Sequence, residues 1–103
     1  MAESEKQIEK YLKARVHTLG GKSYKWVSPM NNGVPDRINF FPGGLIIITE
    51  LKAPGKQPRP LQKKVIRDLR DLGTEVLVID SLEGVRVFAD IVKEMIENYD
   101  LDK

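Results

Sequence analysis

The sequence predicts an α/β domain built on one central mixed sheet flanked by helices, in the order helix, three strands, helix, strand, helix (αβββαβα). Three observations carry this. Asp-Arg-Ile-Asn-Phe-Phe (36–41) and Leu-Ile-Ile-Ile-Thr-Glu-Leu-Lys (45–52) flank a Pro42-Gly43-Gly44 break, the pattern of a β-hairpin. Apolar residues recur at helical spacing in three separate segments. A short β-branched run, Glu75 to Ile79, follows the second of these, so its strand should lie parallel to the Glu50 strand through a crossover.

The first helix should begin at Glu5, because Ser4 and Gln7 form a capping-box pair. Ile8, Tyr11, Leu12, Val16 and Leu19 repeat at helical spacing, and Gly20-Gly21 ends the run. Tyr24 to Val27 reads as a short strand, and Ser28 to Val34, with Pro29 and Asn32-Gly33, as a turn-rich loop into the hairpin. Trp26 is read as packing at the core or the sheet edge. In the hairpin, Pro42 suits the first loop position and Gly44 a left-handed last one, a type I turn closed by a left-handed residue. Leu45 to Ile48 is apolar on both faces, which marks a central strand. Three prolines between Pro54 and Pro60 exclude regular structure until Pro60 opens the second helix. Leu61, Val65, Leu69 and Leu72 mark its expected buried stripe, closed by Gly73. After the Glu75 strand, Ser81 reads as the N-cap of a last helix carrying Val85, Phe88, Ala89, Val92, Met95, Ile96 and Tyr99.

At 103 residues the chain is one domain spanning 1–103, with residues 1–3 and 100–103 expected to fray. It has no cysteine, so disulfides and thiolate metal sites are excluded and an intracellular compartment, in a bacterial or virus-infected cell, is expected. No apolar run approaches a membrane span, and Met-Ala-Glu-Ser-Glu at the start has no signal-peptide character. The net charge of +2 hides a segregation: Lys52, Lys56, Arg59, Lys63, Lys64 and Arg67 follow one another without an acid. Lys13, Arg15, Lys22 and Lys25 form a second acid-free stretch, and the acids gather near the C-terminus. Such segregation suits a surface for phosphates, although solvated faces produce the same pattern.

The hairpin carries the chemistry. A three-residue loop sets Phe41 opposite Leu45, which places Asp36 opposite Glu50 on one face, with Lys52 on the same side. A loop one residue shorter would throw Asp36 to the other face. Facing carboxylates repel, and a divalent cation such as Mg²⁺ between them removes the objection. Charges at the end of a buried strand need a reason of this kind; the bland alternative is solvent-facing strand ends neutralised by Lys52.

Pro35-Asp36 followed by Glu50-Leu51-Lys52 at the end of an apolar strand resembles the PD-(D/E)xK nuclease signature. Gly33-Val34-Pro35-Asp36, the Glu-x-Lys strand and Gln62 in the next helix resemble, more narrowly, the virus-type replication-repair nuclease domain (VRR-NUC), over about Ser4 to Val92. The resemblance implies a restriction-endonuclease-like fold and a metal-dependent, structure-selective DNA endonuclease acting on branched DNA such as four-way (Holliday) junctions. It implies Asp36, Glu50, Lys52, Gln62 and Glu5 as the catalytic set. Glu5 already has a sufficient role at the positive end of its helix, and Gln62 an ordinary one as a solvated residue. Mg²⁺ or Mn²⁺ is the expected cofactor, on Asp36, Glu50, the Leu51 backbone carbonyl and, less directly, Glu5. Lys52 is left with three roles: orienting the water, deprotonating it, or stabilising the developing charge.

Lys56, Arg59, Lys63 and Lys64 are the candidate nucleic-acid-binding residues. Branched or junction DNA is the expected partner, and a homodimer would supply the second active site needed to cut two strands. The single histidine, His17, reads as a surface residue. With no base-reading module in view, cleavage should follow DNA shape more than sequence. The competing readings are a non-catalytic DNA-binding or assembly subunit of the same fold, and a nuclease for single-stranded or nicked DNA or for RNA.

Overall fold

A computed structural model describes residues 3–101, the side chains of 99–101 excepted. Ser4 caps α1 (Glu5–Thr18): its hydroxyl accepts from the Gln7 N–H, and the Gln7 side chain accepts from the Ser4 N–H. Ile8, Leu12 and Val16 are the buried face of α1. Gly20 takes φ +82°, and Gly21 lies so close beneath the sheet that a Cβ there would stand 2.4 Å from the Phe40 carbonyl oxygen. This tight exit puts the chain into the sheet at once. The first strand, β1, is therefore Lys22–Lys25 and not Tyr24–Val27 as expected. Its extent is set by its partner β2 (Arg37–Phe40), which it pairs with antiparallel from Lys22–Phe40 to Lys25–Arg37.

The hairpin has the expected register. β3 (Ile46–Leu51) pairs with β2 antiparallel, Arg37 facing Thr49 and Phe40 facing Ile46, and the Phe41 N–H donates to the Leu45 carbonyl. The turn itself differs from the type I expectation. Gly43 sits at φ 85°, ψ 5°, the third-position geometry of a type II turn, and Gly44 is left-handed as well. Proline followed by two glycines satisfies either turn, and both leave three residues in the loop.

Strand order is β1-β2-β3-β4, with β4 (Val76–Ile79) parallel to β3. The sheet is thus mixed, with β3 central. On one face Ile47, Leu51 and Ile79 pack with Phe41 against α1 and α3 (Leu82–Leu101). On the other, Ile48 and Val76 pack against Ile66 of α2 (Pro60–Asp71), with Trp26, Ile38 and Leu69 around them. Ser81 caps α3 by accepting from the Gly84 N–H, and the Glu3 carboxylate accepts from the Leu82 N–H. The fraying expected of 1–3 and 100–103 falls partly outside the described residues; within them Glu3 is held and α3 continues to Leu101. No helix among the described residues is long and apolar enough to cross a membrane.

The buried stripe of α2 is rotated from the expected one. Leu61 and Leu72 are exposed, and the buried residues are Gln62 and Ile66. A polar contact decides this rotation: Gln62 turns inward to a carboxylate on β3. Leu61 instead covers Gly33, where an added Cβ would stand 2.9 Å from the Leu61 carbonyl oxygen and 2.9 Å from a Val65 methyl. The loop before Asp36 is therefore seated directly on the first turn of α2. Gly33→Ala should cost about 2 kcal/mol through overpacking. Thermal unfolding should show a midpoint lower by about 10 °C; an unchanged midpoint would mean that the loop is not seated there.

Candidate active site

The C-terminal end of β3 gathers the predicted residues. Extending the β2–β3 register by one residue sets Asp36 opposite Glu50 at a non-hydrogen-bonded position, where facing side chains approach most closely. Glu50 is wholly buried. Its Oε2 accepts from Gln62 Nε2 at 2.8 Å and lies 3.1 Å from Lys52 Nζ. Oε1 is buried with no hydrogen-bond partner. Burial pushes the Glu50 carboxyl up from 4.5 to about 7, the Asp36 charge adds to the rise, and the hydrogen bond and charge of Lys52 oppose it.

Each neighbour is itself positioned. Gln62 Oε1 accepts from the Arg59 N–H, so the amide that reaches Glu50 also closes the N-terminus of α2. The Lys52 N–H donates to the Ile79 carbonyl, which continues the parallel ladder and presents the ammonium on the Glu50 face. Asp36 Oδ2 accepts from the Leu51 N–H at 2.8 Å. One residue earlier the register sets Pro35 opposite Leu51. In such a hydrogen-bonded pair each residue's N–H serves the other's carbonyl, and proline has none to give. The ladder therefore leaves the Leu51 carbonyl without its strand donor, beside Asp36.

This donor set fits a divalent cation. Two facing carboxylates, one with a bare buried oxygen and a raised pKa, and a backbone carbonyl freed by Pro35 are hard oxygen ligands with a deficit of positive charge. Glu5 is placed differently. It is exposed and lines a cleft of about 330 Å³ with Lys6, Glu9, Lys25, Asp36 and Leu51, on the α1 side of the hairpin. Among the described residues no three acidic, histidine or cysteine side chains come together as a cation cage, so Glu5 is not gathered with Asp36 and Glu50.

The basic residues divide. Lys56 and Lys63 line a groove of about 460 Å³ between α2 and β4, together with Arg67 and Arg70. Arg59 lies outside it, and Lys64 is turned to Asp68 at 2.8 Å. His17 is exposed, as expected. Sequence reasoning missed Arg37, which is buried and donates to the Ser23 hydroxyl at 2.8 Å, the Ser23 carbonyl at 3.1 Å and Glu9 at 3.3 Å. It ties the start of β2, next to Asp36, to both β1 and α1. The pattern gave little signal, because Arg37 falls in step with Asn39 at the polar positions of Arg-Ile-Asn-Phe.

No protein-family model matches the chain. A relative from Acyrthosiphon pisum secondary endosymbiont phage 1, named "Putative nuclease p44", is 48% identical over 77 residues, covering 75% of this chain and 83% of the relative. A solved structure described as "VRR_NUC domain" superposes with a TM-score of 0.80 at 28% identity, over 85% of this chain and 97% of the other. With the mixed sheet, the αβββαβα order and the hairpin register in place, these likenesses identify the chain as a member of the VRR-NUC family of nucleases.

Proposed function

We propose that this protein is a Mg²⁺- or Mn²⁺-dependent, structure-selective DNA endonuclease that hydrolyses phosphodiester bonds in branched DNA such as four-way junctions, and that it works as a homodimer. The observation that carries the reading is Glu50: a wholly buried carboxylate with one oxygen bare, facing a second carboxylate at the end of the central strand. Asp36, Glu50 and the Leu51 carbonyl would hold the ion. When bound, it would supply Lewis acidity at the phosphoryl oxygen and a water of lowered pKa.

The chain's own residues set up the hydrolysis. Lys52 stands beside Glu50 Oε2 with its side chain 16% exposed, so its ammonium meets both the carboxylate and the solvent side where substrate arrives. There it orients the attacking water and balances the negative charge that grows on the phosphoryl oxygens. Gln62 holds the Glu50 carboxylate in its rotamer through a fixed amide. Glu5, at the rim of the α1-side cleft, acts at most through an outer contact to a bound water. A water gives up one proton to solvent as its oxygen bonds to phosphorus, the bond to the leaving deoxyribose oxygen breaks, and that oxygen takes a proton from solvent. Two copies related by a two-fold axis would present one such site to each of two strands.

The experiment is cleavage of labelled duplex, flap, single-stranded and four-way DNA with and without Mg²⁺ or Mn²⁺, alongside Asp36→Ala. The four-way substrate should be cut fastest, only with the ion, and Asp36→Ala should bind it but lose at least about a thousandfold in rate, the several kcal/mol that such ligands supply. A wild-type protein inert toward every substrate would overturn the reading, as would an Asp36→Ala protein that cuts at the wild-type rate.

A further inference from the structure

We infer that the groove between α2 and β4 is the track along which one phosphodiester backbone of a nucleic-acid arm leaves the active site, with Lys63 and Arg67 its central contacts. This rests on the nuclease reading and adds to it a path and a set of residues. The groove starts at the chemistry. Lys56, on one wall, belongs to the loop that leaves Lys52, and Asp80 follows directly on Ile79, whose carbonyl accepts the Lys52 N–H. It then follows α2 outward. Lys63, Arg67 and Arg70 are spaced i, i+4 and i+7 on one helix face, a run of about 10 Å. That run is long enough to meet more than one phosphate of a single strand, so its cations can engage the backbone at successive positions.

Charge and rigidity agree with that occupant. Four cations converge on the groove against the single carboxylate of Asp80, and among the described residues none of the four is in a salt bridge. The next lysine along the helix, Lys64, is neutralised by Asp68 and points elsewhere. Arg70 is locked across the gap, its Nε and Nη2 both donating to the Val76 carbonyl, so the far end of the track is a fixed cation. Converging, unpaired, partly immobilised cations repel one another and call for an extended anion, whereas a single small anion would engage only one or two of them.

The test compares two double variants that remove equal charge, Lys63→Ala with Arg67→Ala inside the groove and Lys10→Ala with Lys93→Ala on α1 and α3 outside it. All four positions are exposed, so both proteins should fold, which circular dichroism checks. Fluorescence anisotropy with labelled duplex and single-stranded oligonucleotides, in EDTA, reads affinity against salt. The groove variant should lose tenfold or more in affinity near 0.1 M salt. Its slope of log K on log salt should shrink by about 1.8 on duplex or about 1.4 on a single strand. The outside variant should keep the wild-type slope. A groove variant with the wild-type slope, or an outside variant with an equal loss, overturns the track while a wild type that still cuts DNA leaves the nuclease reading standing. A wild type that neither binds nor cuts any nucleic acid takes both down.

Discussion

Glu50→Gln should abolish cleavage and, at pH 8 without divalent cations, make the protein more stable than the wild type. The two effects have one cause. Glu50 is wholly buried, its Oε1 has no partner, and its carboxyl is raised to about 7 by burial and by Asp36. The sign follows from proton counting. Below about 4.5 the group is protonated in both folded and unfolded chains and adds no pH dependence. Between 4.5 and about 7 the folded protein keeps a proton that the unfolded chain has lost, so stability falls as pH rises. Above about 7 the whole penalty is present, at most about 3 kcal/mol for such a shift. Glutamine keeps the shape and removes the charge. Melting curves of the variant should lack this fall, and at pH 8 its midpoint should exceed the wild type's by on the order of 5 °C. A variant that melts below the wild type at pH 8 would mean that the charge is well accommodated.

The same reasoning predicts that a cation would act as a ligand of the folded state. An ion bound by Asp36 and Glu50 relieves the repulsion and binds the native protein alone, so millimolar Mn²⁺ or Mg²⁺ should raise the wild-type midpoint at pH 8, by about 2.7 kcal/mol of stability at a hundred times the dissociation constant. The Glu50→Gln midpoint should stay where it is. With both outcomes in hand, the proposed site would be a place where fold stability is given up for function, a trade to be seen only when the ion is withheld.

How much of this lay open in the chain depends on whether local rules or distant contacts decide. The register of the hairpin did, because strand alternation and a three-residue loop leave one solution, and Arg37 faces Thr49 as that solution requires. The turn type did not, since Pro42-Gly43-Gly44 suits two turns of equal length. The buried face of α2 was misread because periodicity ranks residues by hydrophobicity: Leu61 and Leu72 scored as core, while Gln62 is drawn in by Glu50, twelve residues away. The first strand was misplaced because an edge strand with an exposed face takes its limits from its neighbour, and the aromatic Tyr24 and Trp26 suggested otherwise. Among the cations, the helical spacing of Lys63, Arg67 and Arg70 was present in the sequence, but the opposite wall of the groove comes from β4 and could not be seen from α2 alone.

Lys52→Met should separate two contributions of the lysine that the wild type combines. Its ammonium lies 3.1 Å from Glu50 Oε2, and its hydrogen bond and charge are the influences that hold the Glu50 carboxyl down against burial and Asp36. Methionine keeps most of the stem's packing and removes both. Glu50 must then retain its proton to a higher pH, and a cation has to displace that proton to bind. Mn²⁺ affinity, read as a rise in melting midpoint or by calorimetry, should therefore drop sharply at pH 7 and recover by pH 9. Cleavage of four-way DNA should not recover at pH 9, because the ammonium proposed to orient water and balance phosphoryl charge would still be missing; a loss of about a thousandfold at both pH values is the expected size. Cleavage that returned together with ion binding at pH 9 would reduce Lys52 to a keeper of the Glu50 charge. Ion binding unaffected at pH 7 would instead show that Glu50 is ionised without its help, and that burial and Asp36 do not hold a proton on it.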